Sequence, residues 1–117
     1  MAYIDGFVAP VPTAKKDEYI AHAKAMVSFM KNEGAVRFVE CWGDDVPDGE
    51  TTSFPMAVKA QADETVCFSW IEWPSKEVRD KAMEKMMNDE AFIEQMNPMP
   101  FDGKRMIMGG FEMVIDD

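Results

Sequence analysis

The stretch Thr65-Val66-Cys67-Phe68-Ser69-Trp70-Ile71-Glu72-Trp73-Pro74-Ser75 constrains this chain more than any other. From Val66 to Trp73 apolar side chains fall on both faces of an extended run with hardly a solvated position, the pattern of a strand covered on two sides. Pro74 cannot continue a ladder, and Ser75 offers a helix N-cap oxygen. Such a strand needs a neighbour along each edge, so the rest of the chain must build a sheet around it.

Tyr3 to Ala9 predicts a first strand, closed by Pro10 and Pro12, which end ladder pairing. Thr13 is expected to cap a helix running to about Glu33. Tyr19, Ala23, Met26, Val27 and Met30 keep the 3.6-residue period, and Gly34 is the expected stop. Ala35 to Trp42 predicts a second strand. Residues 43–64 form an acidic, turn-rich connection with an apolar knot at Phe54-Pro55-Met56-Ala57-Val58, read as a long arm carrying a short helical turn. After the central strand, a helix is expected from Ser75 to about Asn88, with Val78, Ala82 and Met86 on one side, and a shorter one from Asp89 to Met96. The Asp102-Gly103 pair then turns the chain into a last strand, about Arg105 to Ile115.

The order β-α-β-β-α-β with two substantial helices is the ferredoxin-like split βαβ arrangement, an α+β fold with antiparallel sheet order 4-1-3-2 and the helices on one face. Residues 1–117 are read as a single domain. Two helices hide only one sheet face, and the strands carry large apolar residues on both. A homodimer packed sheet to sheet is therefore expected, as a dimeric α/β barrel.

Charge narrows the partners. The 22 acidic and 12 basic residues give a formal net charge of −10, which leaves no basic stripe for a phosphate backbone and argues against nucleic acid. No run approaches the roughly 18 apolar residues of a membrane span. The start Met-Ala-Tyr-Ile-Asp-Gly lacks the basic and apolar regions of a signal peptide, so a cytoplasmic location is expected. Cys41 and Cys67 both lie in strand-like runs without C-x-x-C spacing, and are read as buried hydrophobes rather than a disulfide or metal site.

Four blocks, Tyr3-Ile4-Asp5-Gly6-Phe7-Val8, Val39-Glu40-Cys41-Trp42-Gly43-Asp44-Asp45-Val46-Pro47-Asp48-Gly49, Phe68 to Lys76 and Met99 to Ile107, together resemble the YbaA-like family of small bacterial proteins. The resemblance covers nearly the whole chain and implies membership of the dimeric α/β-barrel superfamily. It supplies no function, since that family's function is unknown. Superfamily relatives include cofactor-free monooxygenases, chlorite-dismutase-like haem proteins and stress-response barrels, so the fold alone selects no chemistry. No catalytic motif of those relatives can be placed here residue by residue.

Within the expected fold, strand parity puts Asp5 with Tyr3 and Phe7, Glu72 with Phe68 and Trp70, and Glu112 with Met106 and Met108. In the order 4-1-3-2 these strands are adjacent, so the three carboxylates are expected to gather at one end of one face, as a general acid/base group or a divalent-metal site or, if solvated or paired, as register markers. Glu40 and Trp42 share that face at the opposite end. With Phe54, Trp70, Phe101 and Arg105 they are the candidate lining of an apolar ligand pocket, Arg105 or Lys104 serving as a handle for an anion.

Asp44, Asp45, Asp48 and Glu50 do not match a calcium loop, and the twelve methionines read as adaptable packing, so neither metal nor cofactor is expected. His22, the single histidine, is read as a surface or packing residue without haem-ligand context. The leading reading is an uncharacterised cytoplasmic homodimer that binds a small molecule or serves as a stress-associated module. The alternative is a cofactor-free, monooxygenase- or isomerase-like enzyme using a carboxylate base in a tryptophan-lined pocket. A buried carboxylate with a raised pKa facing a cavity separates the two.

Overall fold

The computed structural model describes residues 2–117. Four strands, β1 (Tyr3–Pro12), β2 (Arg37–Trp42), β3 (Glu64–Trp73) and β4 (Ile107–Glu112), form one antiparallel sheet in the order β2-β3-β1-β4. That is the split βαβ order expected. The principal helices, α1 (Lys16–Asn32) and α3 (Lys76–Asn88), pack on one face, joined by the short α4 (Glu90–Met96). The arm between β2 and β3 carries α2 (Phe54–Ala57), where Ser53 caps the Met56 amide at 3.1 Å and Pro55 occupies the first turn.

β1 runs three residues beyond Ala9, through both prolines. The reason lies in its neighbours. Odd-numbered residues of β1 hydrogen-bond toward β3, a register that Thr13 N continues to Asp63 O at 2.9 Å. Even-numbered residues bond toward β4, as Met113 N does to Ala2 O. β4 begins only opposite Val8, so the missing N–H groups of Pro10 and Pro12 face a side where no strand is waiting. Thr13 likewise stays in the ladder and does not cap α1. Its hydroxyl meets that of Thr65 at 2.7 Å, and a 3₁₀ turn (Thr13–Lys15) leads into the helix.

Other boundaries follow local chemistry. Ser75 caps α3 through the Val78 amide at 3.2 Å, and Asp89 caps α4 through Phe92 N at 3.0 Å. After α1, Gly34 takes a φ of +107°, which a side chain disfavours, and a Cβ there would stand 2.8 Å from the Val78 methyl. The Asp102-Gly103 pair opens a 3₁₀ turn (Gly103–Arg105), so β4 starts two residues later than expected and stops at Glu112.

The core lies between helices and sheet. Trp73 and Ile71 of β3 are fully buried against Met30 of α1 and Ala82 of α3. A second cluster gathers Ala9, Val11, Tyr19 and Cys67. On the opposite, helix-free face the arm folds back on its own subunit, packing Val58 between Val8 and Val66. The rest of that face stays uncovered: Phe68, Ile107 and Phe111 are 42%, 44% and 60% exposed.

Candidate functional site

Alternation along each strand and pairing between strands together decide which side chains meet the helices. β1 presents Tyr3, Asp5, Phe7 and Ala9 to them. Across the ladders, β3 adds Cys67, Ser69, Ile71 and Trp73, β2 adds Phe38, Glu40 and Trp42, and β4 adds Met108 and Gly110. α1 answers with the stripe Tyr19, His22, Ala23, Met26 and Met30, at the spacings i, i+3, i+4, i+7 and i+11. Sheet and helices do not close completely. Between them lies a cavity of about 450 Å³ whose walls are almost wholly apolar.

Seven of the twelve methionines, Met26, Met30, Met83, Met86, Met99, Met106 and Met108, line this one space. Unbranched thioether side chains adapt their rotamers to what they touch, so such a wall accepts varied apolar shapes. Phe7, Phe38 and Phe101 complete it. Two polar clusters break the apolar surface, one around Asp5 and Arg79, the other around Glu40, Tyr19, His22 and Ser69.

The first centres on Asp5, on the central strand β1 and 3% exposed. Its carboxylate accepts from Trp73 Nε1 at 2.9 Å, from Arg79 Nε at 3.1 and 3.2 Å, and from Arg79 Nη2 at 2.9 Å. Arg79, which also stacks over the Tyr3 ring, reaches it from α3. With its acceptor positions engaged, Asp5 pins helix, central strand and β3 together and holds no lone pair ready for a ligand.

The second centres on Glu40, on the edge strand β2. Tyr19 donates its hydroxyl proton to Glu40 Oε1 at 2.6 Å, and Ser69 stands beside both. Glu40 as a residue is reached by water, as an edge-strand position must be. Its carboxyl end nevertheless stands among the Tyr19 ring and apolar walls, and loss of hydration there raises its pKa above the ordinary carboxylate value, against the opposing hydrogen bonds of Tyr19 and Ser69 and the nearby His22. Burial, then the adjoining Glu40 charge, keep the Tyr19 hydroxyl protonated far into the alkaline range. The same two causes push the Cys67 thiol up to about 12. His22 contributes a ring fixed by Nε2 against the Met96 carbonyl at 2.9 Å, edge-on to Phe101.

The sequence-derived candidates divide. Glu40 and Phe101 line the cavity, and Trp42 packs against Tyr19, 6.2 Å ring to ring, with Lys16 Nζ 5.4 Å from its ring centroid. Asp5 also lines it, already paired. Glu112 shares the face of Asp5 but is solvated at the end of the edge strand β4, opposite Tyr3. Glu72 pairs with Ile4 and so points to the opposite face. The three carboxylates expected in one group are therefore split: one paired, one solvated, one on the far side of the sheet. Trp70 and Phe54 also belong to the helix-free face, where Phe54 packs edge-on against Phe68, so the pocket is walled by methionine rather than tryptophan.

Arg105 is no free anion handle. It clamps Glu64 through two 2.7 Å bonds, holds Asp102 at 2.9 Å and reaches the Lys59 carbonyl at 2.8 Å, tying the arm to the start of β3 and pulling the Glu64 carboxyl below its ordinary pKa. Both cysteines are free, with Cys67 buried as expected and Cys41 exposed on the other face.

Tyr19, His22, Ser69 and Arg79 were not among the expected site residues. A signal for two of them is present in the sequence. His22 continues the stripe of Tyr19 and Ala23 by helical spacing, and Ser69 is the one polar residue among the odd-numbered members of the Val66–Trp73 run, Cys67, Ile71 and Trp73 being the others.

A family described as a protein of unknown function, DUF1428, matches residues 2–103. The uncharacterized protein YbaA of Escherichia coli strain K12 is 58% identical over 117 residues, all of both chains, and that of Shigella flexneri matches to the same extent. Among solved structures, two proteins from an uncultured marine organism, each described as a dimeric ferredoxin-like protein, superpose with TM-scores of 0.64 and 0.61. They are 11% and 9% identical in sequence. The superpositions cover 100% and 99% of this chain and 98% of each of theirs, a likeness of fold. Among the described residues no helix is long and apolar enough to cross a membrane.

Proposed function

Because this chain belongs to the DUF1428 family, whose function is unknown, we propose a role from the cavity itself: it binds a small, uncharged and largely apolar molecule that directs one polar group at the Glu40–Tyr19 pair. The observation that carries the reading is the wall of seven methionines around about 450 Å³, interrupted by the Glu40–Tyr19 pair while the other carboxylate, Asp5, is already bound to Arg79. An anionic ligand fits poorly, since both cations nearest the cavity's polar clusters, Arg79 and Lys16, are engaged with Asp5 and the Trp42 ring. Titrating methyl-labelled protein with 2-naphthol should shift the methionine methyls of the wall and leave Met87, 72% exposed and outside it, unmoved. Ala23→Phe, which fills the space from α1, should abolish those shifts. Equal shifts in the filled variant would place the ligand elsewhere.

The protein works as a cytoplasmic homodimer in this reading, with the helix-free face against a second copy. Phe68, Ile107 and Phe111 leave that face apolar and uncovered, a condition water penalises, and the solved structures of like fold are described as dimeric. Two free thiols agree with a reducing compartment. Light scattering should give twice the chain mass for the native protein and one chain mass for Phe68→Glu. A dimer that survives this substitution would put the interface on another face.

A further inference from the structure

We propose that Glu40 is a catalytic base that moves a proton between carbons in an uncharged ketone held in the methionine-walled cavity, making the protein an isomerase of enolisable carbonyl compounds. The inference rests on the cavity's binding a small apolar molecule, and adds the chemistry done to it.

Three features carry it. Glu40 is the carboxylate that both faces the cavity and keeps acceptor capacity, since the hydroxyls of Tyr19 and Ser69 occupy only part of its lone pairs while Asp5 is held by Trp73 and Arg79. Its position on an edge strand leaves the group accessible to a ligand, which a base needs and an enclosed carboxylate lacks. The surroundings are apolar, where a carboxylate is poorly hydrated and a carbon acid is at home.

The step balances without any other reagent. Glu40 takes the α-proton, the C–H electron pair becomes the enolate, and its oxygen accepts from the hydroxyls of Tyr19 and Ser69, the first released as Glu40 loses its charge. The protonated Glu40 returns the proton on the same face to a conjugated carbon further along, and the carboxylate is restored. No electrons leave the ligand.

The groups facing Glu40 set its pH behaviour: Tyr19 and His22 from α1, Ser69 and Cys67 from β3, with Lys16 held over Trp42 two residues along β2. Proton removal needs the carboxylate, so the rate rises as pH passes through the raised pKa of Glu40 and then levels. Tyr19→Phe removes a donor to the charged form and should move that rise to higher pH without abolishing it.

The test is deuteration of 2-tetralone at its α-carbons in deuterium oxide, followed by proton NMR, with binding read from the methionine methyls of the same samples. Native protein should accelerate exchange over buffer. Glu40→Gln, which keeps the shape of the side chain and the Tyr19 contact, should still shift the methionine methyls and lose about 100-fold or more of the acceleration. Should Glu40→Gln fail to fold, judged by its melting curve, the displaced pH profile of Tyr19→Phe carries the decision. Binding with no acceleration, exchange unaltered in Glu40→Gln, or an unmoved profile in Tyr19→Phe overturns the proton-transfer role and leaves the binding reading intact. Absence of binding overturns both.

Discussion

Asp5 and Glu40 face the same cavity from the same side of one sheet, and the difference between them is one of strand position. Asp5 stands on the central strand β1, 3% exposed, and its oxygens are taken by Trp73 and Arg79. Glu40 stands on the edge strand β2, open to water on one side, with only the hydroxyls of Tyr19 and Ser69 as donors. An enclosed charge survives only when its acceptors are satisfied, so the interior position has to be a structural joint. An edge position tolerates an incompletely paired carboxylate because water supplies the rest, and a ligand can displace that water. Residue type therefore says little about role here; the degree of commitment of the lone pairs says more.

The sharpest way to break the comparison is to unpair the enclosed member. Asp5→Ala strands the Arg79 guanidinium and the Trp73 indole N–H, and should cost about 3–5 kcal/mol of stability in urea unfolding. A loss under about 1 kcal/mol would mean that Arg79 reaches water freely and that the joint is not structural. A smaller effect is expected one step back, at the helix that presents Arg79. Ser75→Ala deletes the cap on the Val78 amide and should cost about 1 kcal/mol, read as a shift of the urea midpoint at constant slope.

The smallest effect belongs to Glu40, and its sign depends on pH. A carboxyl whose folded pKa is raised binds its proton more tightly in the native state, so its contribution is complete below the ordinary carboxylate pKa and fades as pH climbs through the folded value. Glu40→Gln removes that titration. From about pH 4 upward the melting temperature of native protein should decline relative to the variant, the gap levelling once Glu40 is fully ionised, with a net change of less than about 1 kcal/mol. Parallel melting curves across that range would show a carboxyl as well hydrated as any on the surface.

Much of the architecture was legible in the chain. The Val66–Trp73 run, with Pro74 and Ser75 behind it, marked a central strand ending at a helix cap, which holds, but only its helix-side face is fully covered, Phe68 on the other face being 42% exposed. The long arm and its helical turn were visible in acidic, proline-bearing composition, and Ser53 and Pro55 account for the turn locally. The cavity was legible only in pieces. Glu40 and Phe101 were identified, but methionines that read as core filling on separate elements turned out to wall a single space, which no one-element pattern can reveal. Arg105 read as a free cation because its partner Glu64 is 41 residues away in sequence.

Sequence by itself determined the order of elements, their periodicity and which residues of one strand share a side, because alternation and helical spacing are properties of a local backbone. Only the tertiary structure decided how the phases of neighbouring strands match. Asp5 lies opposite Ile71 and Ile4 opposite Glu72, so two carboxylates that local parity left free to meet stand on opposite faces. The prolines of β1 obey the same logic, since they are tolerated or forbidden according to whether a strand lies on the side where their N–H is missing, and β4 ends before it reaches them. Register is a long-range quantity, set by burial on both faces of the sheet and by the lengths of the connections. A shift of one residue would exchange the cavity wall with the exposed face.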